Sequence, residues 1–190
     1  MGKLVLATII ISGSAKWLLK VGGNKEKWYG SDRIFMYVMT VFGAMTVNYS
    51  EQCTEYGWVV SNLRLLAGCL LAGGLLSAAY MDRRNCWVYN YVWWWCLPWA
   101  GILGLTAGGG FHGIVAVLVF VMLQQLLFSR MYGKADCHAF SVCALAECGN
   151  AVGMVGFLLQ MFLSVVLLTI VQLFRGNVTP RGRLREPQPF

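Results

Sequence analysis

Asp82 and Asp136 are the residues of this 190-residue chain best suited to do chemistry. Each stands at the edge of an apolar segment, in Ala79-Tyr80-Met81-Asp82-Arg83-Arg84 and in Tyr132-Gly133-Lys134-Ala135-Asp136. Between Ser61 and Arg175 the one other acid is Glu147. An ionisable group at membrane depth costs roughly 2.5–3.5 kcal/mol on insertion scales, so it persists where it faces protein or water and performs a task. Two such carboxylates suggest a paired site. Gly133 and Ala135 flank the second one with small side chains, which lets another backbone, such as an extended peptide, approach it closely.

The elements that must position these acids are membrane helices. The chain is 58% hydrophobic and 12% charged, with mean hydropathy +0.61, whereas a soluble domain carries about a quarter charged residues. At 1.5 Å per residue, the segments Leu65–Met81, Cys86–Ala107, Phe111–Phe128 and Ala151–Phe174 are long enough to cross about 30 Å of hydrocarbon. Ile34–Tyr49 is shorter. Leu4–Leu19, interrupted by Lys16, and Asp136–Asn150, interrupted by Glu147, complete the set. The expected fold is all-α, a polytopic membrane bundle of about 6–7 transmembrane helices. Its expected organisation is an N-terminal anchor or interfacial segment with a basic loop over 1–33, a core over 34–175, and a basic tail over 176–190.

Cytoplasmic loops collect Lys and Arg near the helix ends, and the basic residues here fall in alternate connections. Lys16, Lys20, Lys25, Lys27 and Arg33 lie between the first two segments. Arg83 and Arg84 follow Asp82, Arg130 and Lys134 precede Asp136, and Arg175, Arg181, Arg183 and Arg185 lie near the C-terminus. The connections around Glu51–Glu55, Gly108–Gly110 and Glu147–Asn150 are acidic or uncharged, with Arg64 the exception. Asp82 then closes one helix and Asp136 opens another on the same, cytoplasmic, side, so the two can meet without crossing the bilayer.

Other residue types read more plainly. The net charge of +7 is spread over separate loops as topology requires, so no nucleic-acid partner is expected. The N-terminal apolar run could be a secretory signal, but Lys16 and the continuing Trp17-Leu18-Leu19 favour an anchor. Leu6 stands where myristoylation wants Ser or Thr. The seven cysteines contain no Cys-x-x-Cys pair, which argues against a zinc knuckle and for packing inside helices; no metal or cofactor is expected. His138 could assist proton transfer and His112 could line a pore, yet a loop or interfacial histidine is the simpler reading of each. Trp93-Trp94-Trp95, with Trp87 and Trp99, fits an interfacial aromatic belt better than a substrate platform. Ala72-Gly73-Gly74, Ala78-Ala79 and Gly101-Ile102-Leu103-Gly104 permit close helix packing.

Two segments carry a family resemblance. Asp82-Arg83-Arg84-Asn85-Cys86-Trp87-Val88-Tyr89-Asn90 resembles the first signature of type IV prepilin peptidases, an Asp at a helix end, then basic residues, then an apolar-Pro-Asn turn. Val88 and Asn90 match, and Tyr89 replaces the proline. Gly133-Lys134-Ala135-Asp136 resembles the Gly-x-Gly-Asp signature, with Ala135 in place of the second glycine. The resemblance spans Ile34 to the C-terminus. It implies a membrane aspartic endopeptidase that uses Asp82 and Asp136 to cleave the basic leader of prepilin-like precursors at the cytoplasmic face of the inner membrane, without metal or organic cofactor. It implies peptidase activity alone, since the cysteine pairs of the methylating domain are absent from the sequence. It also implies one more helix after the Pro189-Phe190 element.

Two carboxylates a few ångströms apart cannot both ionise easily. They share a proton, one acting as base toward water and the other as acid toward the peptide carbonyl and the leaving amine. The pair titrates as a unit, so sequence does not divide the roles. Three alternatives stand beside this expectation. Tyr80-Met81-Asp82 faintly echoes the Tyr-Asp motif of signal-peptide-peptidase-like proteins. The replacements at Tyr89 and Ala135 fit an inactive or truncated relative that serves as a membrane binding or assembly protein. A small ion-coupled transporter would also use intramembrane acids, although no inverted repeat is apparent.

Overall fold

The computed structural model describes residues 2–22, 30–52, 57–108, 111–126, 133–147 and 151–174. Among them the fold is all-α, with seven helices and no strand: α1 (Gly2–Val21), α2 (Gly30–Gln52), α3 (Trp58–Asn85), α4 (Asn90–Thr106), α5 (Phe111–Leu126), α6 (Lys134–Glu147) and α7 (Ala151–Phe174). By length and composition α1 and α3 can each cross a membrane, and α5 and Val155–Ser164 of α7 are shorter apolar helices. Lys25, Lys27, Cys53, Arg130, Cys148 and the basic tail from Arg175 lie outside the described residues.

Helix α3 is the hub, with α1, α2 and α4 packed around it; α6 packs on α4 and leads to α5 and α7. The reason lies in two adjacent glycines. A Cβ on Gly73 would strike the Ser14 hydroxyl and lie 3.0 Å from the Ile11 carbonyl oxygen of α1, while a Cβ on Gly74 would strike the Cys96 sulfur of α4. Consecutive residues point about 100° apart on a helix, so this pair opens two contact faces at one level. Helices in lipid associate through such close approach.

Helix α1 answers with a stripe at four-residue spacing. Ala7, Ile11, Ala15 and Leu19 are all buried in the same core as Cys69, Leu76, Met81, Val92 and Cys96. The segment expected as an anchor therefore packs into the main core, and α2 begins at Gly30. A smaller apolar cluster joins Val117 and Phe120 of α5 to Ala144 of α6, with Phe157 and Met161 of α7 against it. The outward faces are also apolar: Leu105, Leu118, Met122, Leu159 and Phe162 are all exposed. Water rarely tolerates apolar surface on that scale, whereas lipid does.

Arg64, the basic residue that broke the loop pattern, lies on α3. Its Nη1 donates to the Leu103 carbonyl oxygen at 3.1 Å and to the Thr106 hydroxyl at 2.9 Å, at the C-terminal end of α4. The Leu103 carbonyl oxygen also accepts from Ala107 N–H at 3.1 Å, so the guanidinium is an added donor at this end, where the negative pole of the helix dipole favours a cation. It ties α3 to α4.

Candidate active site

Helix α3 does not end at Met81. It runs through Asp82, Arg83 and Arg84 to Asn85, and stops because Cys86 adopts the left-handed conformation (φ 50°) with its N–H bonded to the Asp82 carbonyl oxygen at 2.8 Å. A left-handed residue after the last turn is the common way to end a helix, usually with glycine. The chain then turns through Trp87, Val88 and Tyr89, and α4 starts at Asn90, four residues later than expected. Tyr89, where the resemblance wants proline, has φ −75° and ψ 141°. Those are angles a proline ring would itself impose or permit, so the replacement keeps the backbone path.

The second aspartate is set by a helix start. Gly133 immediately precedes α6, and Asp136 is the third residue of that helix. Its carboxylate accepts a hydrogen bond from the Gly133 backbone N–H, while the Gly133 carbonyl oxygen accepts from Cys137 N–H at 3.2 Å. This is the returning half of a capping box, in which an acid at the third position reaches back to the residue before the helix. A Cβ on Gly133 would stand 3.3 Å from Asp136 Oδ2. Glycine therefore leaves the carboxylate room to fold back, and the capped oxygen is fixed in place.

Helix α4 brings the two ends together, since α3 and α6 both pack on it. The result is a cavity of about 660 Å³ lined by Asp82, Asn90, Gly133, Ala135 and Asp136. All five residues singled out from the sequence share this one cavity. The two carboxylates are near enough for the charge of one to act on the other. Both are partly buried, so neither is sealed from solvent nor fully open to it.

Further residues complete the lining. Cys86, Trp87, Val88, Trp93, Lys134 and His138 face the same space, and the Trp93 and His138 rings lie 6.0 Å apart. The tryptophans have different surroundings. Trp93 is buried and lines the cavity of the aspartates, Trp94 is 74% exposed, and Trp95 packs between Trp17 (5.1 Å) and Trp99 (5.8 Å). Sequence allowed His138, two residues after Asp136, a part in proton transfer but read it more simply as a loop or interfacial histidine; it lines the cavity. His112 stands elsewhere, exposed and edge-on to Phe111.

Arg83 and Arg84 turn toward α2. Arg83 lies over the Phe35 ring at 4.8 Å. Arg84 reaches buried Asp32 at 3.9 Å and donates to the Tyr80 hydroxyl at 3.3 Å. Asp32 escaped the sequence reading because it sits in a basic stretch beside Arg33; its pairing with Arg84 holds the last turn of α3 to the first turn of α2.

Among the described residues no group of three or more His, Cys, Asp or Glu side chains is placed to hold a metal. Cys69, Cys96 and Cys137 are buried, as expected of packing residues. No protein-family model matches the chain, and no curated protein or solved structure does so either.

Proposed function

We propose that the chain is a multi-pass helix bundle of the plasma (inner) membrane and an aspartic endopeptidase of the prepilin-peptidase type, its site facing the cytoplasm. The observation that carries this reading is the convergence of Asp82 and Asn90 with Gly133, Ala135 and Asp136 on one cavity at the ends of α3 and α6. Two motifs distant in sequence, each weak alone, meet in space as a two-carboxylate site requires.

The chemistry follows from a proton shared by two carboxyl groups. The ionised member draws a proton from water as it attacks the scissile carbonyl carbon. The protonated member donates to the carbonyl oxygen, and the tetrahedral species then collapses with proton return to the leaving nitrogen. Gly133 and Ala135 leave space for an extended substrate backbone, and Trp87 and Trp93 supply apolar walls. The substrate on this reading is the leader junction of a prepilin-like precursor presented at the cytoplasmic face.

The position of the acids speaks against an ion-coupled carrier. Asp82 is in the last turn of α3 and Asp136 in the first turn of α6, whereas carrier sites sit near the bilayer midplane. The proline-like backbone at Tyr89 likewise weakens the case for an inactive relative.

The test is cleavage of a co-expressed prepilin-like precursor in membranes, by the parent chain and by Asp82→Asn and Asp136→Asn. The parent should cut, and each variant should lose nearly all activity while inserting normally. A parent that inserts yet leaves the precursor whole would favour the non-catalytic assembly protein instead.

A further inference from the structure

A second cavity, of about 420 Å³, opens between α1 and α2, away from the aspartates. Its volume is in the range of small-molecule sites, roughly 300–1,000 Å³. Lys16, Ser12 and Thr8 line it from α1; Arg33, Tyr37 and Thr40 line it from α2. A neighbouring hollow joins Leu4 to Thr46 and Tyr49, so the two helices run antiparallel, with low numbers on α1 against high numbers on α2. The groove thus has three levels about one helical turn apart: Lys16 with Arg33, Ser12 with Tyr37, and Thr8 with Thr40.

The levels differ in chemistry. At the bottom and middle, the hydroxyl protons are already spent on the helices' own carbonyls: Thr8 on Leu4 (2.9 Å), Ser12 on Ile9 (3.1 Å) and Thr40 on Met36 (2.6 Å). That stretch offers apolar surface and no spare donor from these three side chains. At the top, Lys16 and Arg33 present two cations with no carboxylate partner among the described residues. The adjacent acid, Asp32, is turned to Arg84. Lys20 adds a further positive charge one turn beyond Lys16.

We propose that this groove binds an anionic phospholipid of the cytoplasmic leaflet, with the phosphate between Lys16 and Arg33 and an acyl chain along the Ser12 and Thr8 levels. The inference rests on the membrane reading and is independent of the peptidase reading. Lys16 lies five residues before the end of α1 and Arg33 three residues after the start of α2, about 5–8 Å in from the helix ends at 1.5 Å per residue. Long basic side chains at that depth reach the headgroup layer, and basic pockets between membrane helices on the cytoplasmic side hold lipid headgroups.

The test uses the full chain, purified, delipidated and titrated in mixed micelles with phosphatidylglycerol or with phosphatidylcholine of the same acyl chains, bound lipid being read by native mass spectrometry. Phosphatidylglycerol should bind one to one and about tenfold or more tighter than phosphatidylcholine. The Lys16→Gln/Arg33→Gln variant should lose about thirtyfold in affinity, as two interfacial basic residues are worth together. Lys3→Gln, at the other end of α1, should bind as the parent does. Ser12→Phe fills the middle level without altering charge and should also lose the one-to-one complex. Equal binding of the two lipids, or displacement of the lipid by excess inorganic phosphate, would overturn the proposal. So would an unaltered Ser12→Phe, since binding would then need only surface charge. A chain recovered outside the membrane fraction would overturn the membrane reading itself, which separates that failure from failure of the groove.

Discussion

Asp136 holds two positions at once, as the acid that caps α6 and as half of the carboxylate pair, and the two can be separated by substitution. Asparagine keeps an oxygen that accepts the Gly133 N–H bond, so Asp136→Asn should leave stability near the parent and remove cleavage. Alanine removes both, with an added loss of about 1 kcal/mol for the missing bond, read as a lower melting temperature in detergent. Gly133→Ala tests geometry alone. The new methyl would sit 3.3 Å from Asp136 Oδ2, and the carboxylate must yield by a few tenths of an ångström. Misplacement of 1 Å costs on the order of 100-fold in rate, so Gly133→Ala should cut cleavage about tenfold with expression and insertion unchanged. An unaltered rate in that variant would mean that the capped oxygen is not a reacting one.

Among the elements, α3 carries the most. Its glycine pair admits α1 on one side and α4 on the other, and α4 in turn receives α6; the site depends on this chain of contacts more than on any direct contact between α3 and α6. Gly73→Val would drive side-chain atoms into Ser14 and the Ile11 carbonyl. Overpacking of a tight interface costs about 1–3 kcal/mol, so the variant should melt earlier and yield less folded protein. Gly101→Val, at a glycine with open space around it, is the matched control and should stay near the parent. Much of this was legible in sequence. Asp82 and Asp136 were rare acids at apolar edges, and Ala72-Gly73-Gly74 announced a packing face. What stayed hidden was non-local: the inward stripe of α1 is masked by a helix apolar nearly all round, and Asp32 shows its partner only once α2 and α3 are side by side. The start of α4 was misplaced because Cys86 and Trp87 are apolar, and hydropathy does not sense a left-handed backbone.

At the scale of the whole molecule, orientation decides whether the carboxylate pair can meet a cytoplasmic leader, and Cys86 offers a direct probe of it. This thiol is exposed, lies four residues after Asp82 and lines the same cavity, while Cys69, Cys96 and Cys137 are buried. In a variant retaining Cys86 as its sole cysteine, a membrane-impermeant maleimide should label inverted vesicles and leave sealed right-side-out vesicles unlabelled. Thiolate is the reacting form, so the two preparations must be compared at one pH. Labelling should also block precursor cleavage, because the adduct would occupy the cavity that holds Asp82 and Asp136. Labelling from the outside would reverse the orientation drawn from the basic loops, and would place the pair where no cytoplasmic leader could reach it. Labelling from the inside without loss of cleavage would keep the orientation and move the substrate path away from the Cys86 wall.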